Sequence, residues 1–315
     1  MLGLIEIAWW HWVGFLAVVL VLLGLDLGVF HRRAHRVGFK EAVLWTAAWC
    51  GFALGFALLL WWRRGEEDSL DFLTGYLIEL SLSMDNVFVM VLIFDYFAVA
   101  TEYQHRVLFW GVLGALVMRG LMIWLGAELI RGYAWMLYVF GVFLVLSGIK
   151  MLVLEEEEVH PRRNPVLRLA QTYLPVAPET TSQAFVTRLH GRWALTPLAL
   201  VLLMVETTDL VFALDSIPAI FAVTTKTFIV FTSNIFAILG LRSLYFVLAG
   251  AIGYFRYLKY GVALVLTFIG FKMLIADWVH LPSQWALGVV ATLILLSMAA
   301  SVLTARGLAR TRKGP

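Results

Sequence analysis

The sequence predicts an all-α membrane protein of about nine transmembrane helices, with an inverted repeat of two three-helix units at its centre. Three observations lead there. The chain of 315 residues is 62% hydrophobic and only 14% charged. An ordinary soluble domain is about 25% charged, so this composition cannot surface a soluble globule. Stretches such as WVGFLAVVLVLLGL and WALGVVATLILLSMAASVL approach the ~20 apolar residues that a spanning helix needs. Third, segments of the first half recur in the second half at nearly constant spacing.

Hydropathy places the spans at about 10–30, 41–62, 70–97, 107–130, 134–154, 194–223, 227–253, 258–278 and 284–305. The opening MLGLIEIAWWHW has no basic n-region and no small-residue cleavage site, so it reads as the start of the first helix, not a signal peptide. Trp9, Trp10, Trp12, Trp61, Trp62, Tyr133, Trp135, Trp193, Trp278 and Trp285 gather at span ends, where amphipathic rings prefer to sit. The layout is then two peripheral helices (1–66), a first three-helix unit (67–154), a loop (155–193), a second unit (194–280), and a last helix with a basic tail (281–315).

Loop charge orients these spans. HRRAHRVGFK follows span 1, and the long loop carries Arg162, Arg163, Arg168, Arg188 and Arg192. Arg256 and Lys259 follow span 7, and the tail reads RGLARTRKGP. With an odd number of spans all four segments share one side, which the positive-inside rule makes cytoplasmic and the amino terminus external. RRGEEDS, on the other side, balances its arginines with acids. The net charge of +3 therefore speaks to topology and a lipid partner rather than to nucleic acid. The long loop opens with Glu155 to Glu158, read as a solvated acidic helix end, and closes with QAFVTRLHGRWALT, which suggests a hairpin turning at HG. The single cysteine, Cys50, excludes an intramolecular disulfide framework and any multi-cysteine metal site.

The repeat follows from three matches. DNVFV at 85 resembles DLVFA at 209; GALVMRG, with Arg119, resembles AILGLRS, with Arg242; GVFLVLSGIKMLV, with Lys150, resembles GVALVLTFIGFKMLI, with Lys272. The offsets are 124, 123 and 122 residues. Each unit holds an odd number of spans, so the second enters the membrane inverted. Many secondary transporters share this plan, with ion sites near the midplane between the units.

Ionisable residues inside the spans supply the candidate site, because each costs about 2.5–3.5 kcal/mol at a helix centre on the insertion scale. Span 3 holds Glu79, Asp85 and Asn86; span 6 holds Glu206, Asp209 and Asp215. Arg119 and Arg242 read as structural counter-ions, while Lys150 and Lys272 either snorkel to headgroups or join them. Five carboxylates exceed the two arginines, and an acidic excess in low dielectric must be protonated, hydrated or bound to a cation. The donors are oxygens, with Thr208, Ser216 and Asn234 in support, so a hard cation such as Mg²⁺, Ca²⁺ or Mn²⁺ fits. Glu79 and Asn86, seven apart, share a helix face; Asp85 points about 100° away. Pro218 removes a donor beside Leu214 and predicts a kink or unwound turn over 215–218 that re-aims Asp215.

The segments GYLIELSLSMDNVFV, TPLALVLLMVETTDLVFALDSIPAIFAVT and FIVFTSNIFAILGLRSLYF resemble the TerC/Alx family of integral membrane proteins over about residues 70 to 280. The length and extra early spans are most similar to the Alx branch. The resemblance implies a bacterial inner-membrane protein that exports Mn²⁺, with links to alkaline pH and tellurite resistance. It carries the family's acidic positions onto Glu79, Asp85, Asn86, Glu206, Asp209 and Asp215, and it alone selects manganese.

The leading expectation is a transporter, secondary because no G-x-x-x-x-G-K-[ST] phosphate loop occurs, with Mn²⁺ as cargo and no prosthetic group expected. Proton return is compatible with carboxylates that release a cation. The alternatives are an intramembrane aspartyl hydrolase using Asp85 and Asp209, and a non-transporting sensor or scaffold of the pH or tellurite response. The oligomeric state is left open.

Overall fold

The structure is a computed structural model; it describes residues 9–28, 38–153, 164–173, 175–177, 184–189, 192–250, 257–279 and 281–311. The basic stretch 31–37, the acidic run 155–158, Arg162, Arg163, the hairpin turn at 190–191 and Arg256 lie outside these residues.

The described chain is overwhelmingly helical: α1 (Trp9–Gly28), α2 (Phe39–Arg64), α3 (Glu66–Tyr96), α4 (Thr101–Gly132), α5 (Met136–Val153), α6 (Pro165–Tyr173), α7 (Pro197–Phe221), α8 (Thr227–Ala249), α9 (Leu258–Leu274) and α10 (Ser283–Thr311), with a hairpin of β1 (Val186–Leu189) and β2 (Arg192–Leu195). Among the described residues each expected span falls mainly on one helix. Among the described residues, seven helices are long and apolar enough to cross a membrane: α2, α3, α4, α5, α7, α8 and the Ser283–Thr304 part of α10. The apolar stretch of α1 and the 17 residues of α9 fall short of that length.

Two expectations for span 6 change. Its start moves from 194 to Pro197, because the apolar residues just before it form β2, which pairs antiparallel with β1. The entry is defined by Thr196, whose hydroxyl accepts from the Ala199 amide at 3.3 Å, with Pro197 in the first turn, where its missing N–H is of no consequence. The unwound turn over 215–218 is absent: α7 is continuous through Pro218 to Phe221. Pro218 costs the Leu214 carbonyl one helical bond, but the turn keeps its helical form. Beyond it the ladder closes, with the Ala222 and Thr224 amides donating to Pro218 and Ile220.

The long loop is partly structured. Asn164 caps α6 by accepting from the Val166 and Leu167 amides at 2.9 and 3.1 Å, and α6 packs on α7.

Helix α8 is the centre of the bundle, with 83% of its apolar window buried. It packs against α3, α2 and α4, while α4 packs on α7, α3 on α7, and α5 on α9. Exchanging α3 with α7, α4 with α8 and α5 with α9 leaves these α3–α5 and α7–α9 pairs unchanged. Aromatic rings lock the peripheral helices on: Phe15 of α1 and Phe56 of α2 meet Phe236 of α8 at centroid distances of 6.0 and 5.0 Å.

In lipid, helix association depends on close packing, which small residues permit. The α5–α9 seam uses this device at Gly141 and Gly148, which face Leu274 and Gly270, and Thr267 and Ala263. A Cβ on Gly270 would lie 2.8 Å from the Gly141 carbonyl oxygen and 2.9 Å from Leu144. Overpacking a tight interior costs about 1–3 kcal/mol. Gly270→Val is therefore expected to destabilise the protein by at least that much, because backbone cannot step aside; thermal unfolding in detergent measures it.

Candidate cation site

Four helices converge on one buried polar cluster. α3 supplies Glu79 and Asn86, α4 supplies Arg119, α7 supplies Asp209 and Ser216, and α8 supplies Asn234. Their exposures are 3% or less throughout, with Glu79 and Asn234 at 0%. Arg119 is the hub. Its Nε and Nη2 donate to the two oxygens of Asp209 at 3.1 and 2.8 Å. Its Nη1 donates to Glu79 Oε1 and reaches Ser216 Oγ at 3.4 Å. Asn86 Nδ2 donates to Asp209 Oδ1 at 3.4 Å, and Asn234 Nδ2 donates to Glu79 Oε2 at 3.0 Å.

Each contact has a local cause. Glu79 and Asn86 lie two turns apart on one face of α3, so Glu79 meets Arg119 of α4 and Asn234 of α8 while Asn86 reaches Asp209 of α7. The planar guanidinium matches a carboxylate with two parallel bonds, which fixes the Asp209 rotamer. Two carboxylates against one guanidinium leave a formal charge of −1 in a place closed to bulk water. Asn234 is oriented by the Glu79 acceptor, and its Oδ1 is buried with no hydrogen-bond partner among the described residues. A buried acceptor without a donor is uncommon and suits a cationic or protic guest.

The other expected site residues lie apart from this hub. Asp85 is half-buried, a third of a turn from Asn86, so Glu79 and not Asp85 shares Arg119 with Asp209. Glu206 is half-buried on α7 with its carboxylate against Gly114 of α4. Asp215, also half-buried, accepts from Ser147 Oγ of α5 at 2.8 Å and lies within electrostatic reach of the exposed Lys150. Thr208 turns its hydroxyl to the Met204 and Val205 carbonyls of its own helix. Arg242 is buried on α8 at 6% exposure. Among the described residues no three His, Cys, Asp or Glu side chains are gathered tightly enough to hold a metal ion. The six expected ligands therefore do not form one cage in this conformation.

A feature that the sequence reading passed over lies two turns before Glu79. Asp71 is 2% exposed and accepts from Ser283 Oγ of α10 at 2.6 Å. It borders a cavity of about 1140 Å³ that Lys226, Lys272, Asp277 and Ser283 also line. Lys226, in the α7–α8 turn, bonds Asp68 at 2.6 Å and Glu67 at 3.1 Å. Partial burial alone would lower its pKa, but the bonds to these carboxylates outweigh it and hold the ammonium above its ordinary value. Between cavity and cluster, α3 and α8 close tightly: a Cβ on Gly75 would fall 2.8 Å from Ser233 Oγ. The one sign of Asp71 in the sequence was an acid at a span edge, which reads as interfacial.

The Integral membrane protein TerC family matches residues 64–313. An uncharacterized membrane protein of Myxococcus xanthus is 51% identical over 295 residues, covering 94% of this chain and 92% of that protein. Alx of Escherichia coli strain K12, provisionally described as a membrane-bound redox modulator, is 46% identical over 295 residues, covering 91% of this chain and 92% of Alx. A membrane protein of Rickettsia felis is 40% identical over 292 residues, covering 93% of this chain and 97% of that protein. No solved structure matches the chain. With the family match spanning α3 to α10 and the identity to Alx running through nearly the whole length, the chain belongs to the TerC family of integral membrane proteins, in its TerC/Alx group.

Proposed function

We propose that this chain is a secondary transporter that exports a divalent cation, Mn²⁺ first among them, from the cytoplasm through the Glu79–Asp209 centre. The observation that carries the reading is a pair of fully buried carboxylates from α3 and α7, joined by one guanidinium and left with excess negative charge. All donors around it are oxygen or amide, as a hard cation requires. Resemblance to the family, not ligand chemistry, favours manganese.

The exchange-symmetric packing of α3–α5 with α7–α9 supports an inverted repeat, whose units would rock about the centre to alternate access. In that scheme α2–α3, α4–α5, α7–α8 and α9–α10 turn on the outer side, and the 1140 Å³ cavity they border is the exit vestibule. Asp85, Glu206 and Asp215 line the route or join the site in another conformation, and proton return balances the exported charge. The amino terminus is external, the tail cytoplasmic, and the membrane is the bacterial inner membrane.

An aspartic-protease mechanism needs two carboxyls sharing a proton. Asp209 instead has both oxygens on the Arg119 fork, which disfavours the hydrolase alternative. A dithiol redox cycle within one chain has no second cysteine to use. Cells producing the chain and challenged with Mn²⁺ are expected to hold several-fold less manganese than cells producing Asp209→Asn, by elemental analysis. Equal manganese at equal protein level would remove the reading.

A further inference from the structure

We propose that Arg119 is a tethered competitor of the transported cation, and that Glu206 receives its guanidinium when the cation enters. The inference rests on the transport reading above and deepens it.

The starting point is charge and space. Glu79 and Asp209 supply two negative charges, enough to neutralise one dication. Arg119 already holds both oxygens of Asp209 and one of Glu79. A dication and a guanidinium on the same two carboxylates would bury a net positive charge beside itself, with no water to screen it. One of the two must leave, and the one on a long flexible stem can leave without unfolding anything.

Geometry says where it goes. Side chains on a helix lean toward its N-terminus, so the Arg119 stem sweeps the α4 surface over residues 114–116. Glu206 waits on that surface. A Cβ on Gly114 would lie 2.1–2.5 Å from all three of its carboxylate atoms, so only a glycine there leaves the acid its berth. Glu206 is one turn before Asp209 on α7, on the same face, so the guanidinium moves about one turn to exchange one acid for the next. Among the described residues no hydrogen bond or ion pair engages Glu206. After exchange the books balance: a dication faces Glu79 and Asp209, and Arg119 faces Glu206. When the cation leaves, Arg119 returns and keeps the emptied pair from holding its next ion too tightly.

Affinity is then reduced by the fraction of protein in which Arg119 is displaced, and removing the competitor removes that reduction. The test is equilibrium Mn²⁺ binding to the purified full chain in nanodiscs, read by the loss of the EPR signal of free aqueous Mn²⁺. Arg119→Gln is expected to bind Mn²⁺ about ten-fold more tightly than wild type. Glu206→Gln is expected to bind several-fold more weakly with Arg119 present, and to have no effect in the Arg119→Gln background. Should Arg119→Gln require metal to fold, purification in Mn²⁺ followed by dialysis keeps the comparison open. Arg119→Lys, which retains the charge on a stem, is expected to stay near wild type. Arg119→Gln binding no tighter than wild type, or Glu206→Gln acting equally in both backgrounds, overturns the exchange while leaving transport standing. Absence of Mn²⁺ binding in wild type and every variant overturns the transport reading and this inference with it.

Discussion

Asp209→Ala is expected to lose Mn²⁺ transport and to lower stability by about 3–5 kcal/mol, the usual cost of removing one partner of a buried ion pair. Arg119, 1% exposed, would forfeit two of its strong bonds, at 3.1 and 2.8 Å, and keep only Glu79 and Ser216. No water can replace them. Because a marginally stable protein holds only about 5–15 kcal/mol in total, the variant is expected to accumulate poorly. Transport must therefore be normalised to folded protein, quantified by monodisperse elution in detergent. Asp209→Asn keeps an acceptor for Nη2 and nearly the same shape, so it is expected to be better folded and equally inactive. An Asp209→Asn protein with full transport would show that the charge at this position serves only the fold.

The second large effect separates fold from function more sharply. Arg119→Met alone strands Glu79 and Asp209 as buried carboxylates with excess charge, again a loss of about 3–5 kcal/mol. Combining Arg119→Met with Glu79→Gln and Asp209→Asn removes all three charges together. Replacing a whole buried ionic group with hydrophobic residues of similar volume is often neutral or stabilising by ~1–4 kcal/mol, and the two amides, though still polar, likewise strand no charge. The triple variant is thus expected to melt well above Arg119→Met, while transporting no Mn²⁺. Such non-additivity is the mark of side chains that share one network.

Much of the fold was legible because membrane spans are written in composition. Each hydropathy maximum coincides with a helix among the described residues, and the loop motif QAFVTRLHGRWALT supplies the two paired strands, Val186–Leu189 and Arg192–Leu195. The misplaced start of α7 has a simple cause: RWAL is apolar enough to extend a span, and only Thr196–Pro197 marks the true entry. Pro218 misled because one missing N–H removes a single helical bond, and the surrounding turn stays helical without it.

The centre was legible in part. Alignment of DNVFV with DLVFA suggested Asp85 and Asp209 as a pair. Helical phase says otherwise: Glu79 and Asn86 share a face, and Glu79 is the carboxylate that meets Arg119. The contact of Glu206 with Gly114, and that of Asp215 with Ser147, join residues 92 and 68 positions apart. Nothing local announces either, since they depend on how α4, α5 and α7 cross. Asp71 was hidden by its place at a span edge, although α10 folds back to bury it.

The most direct test of the account is metal-resolved transport in inverted membrane vesicles, with and without an imposed pH gradient. Wild type and the neutral triple variant are compared at equal folded protein. The account predicts Mn²⁺ accumulation inside the vesicles by wild type, strengthened when the lumen is acidic, and none above background by the triple variant. Accumulation by the triple variant at the wild-type rate, or no metal movement by wild type, would contradict it.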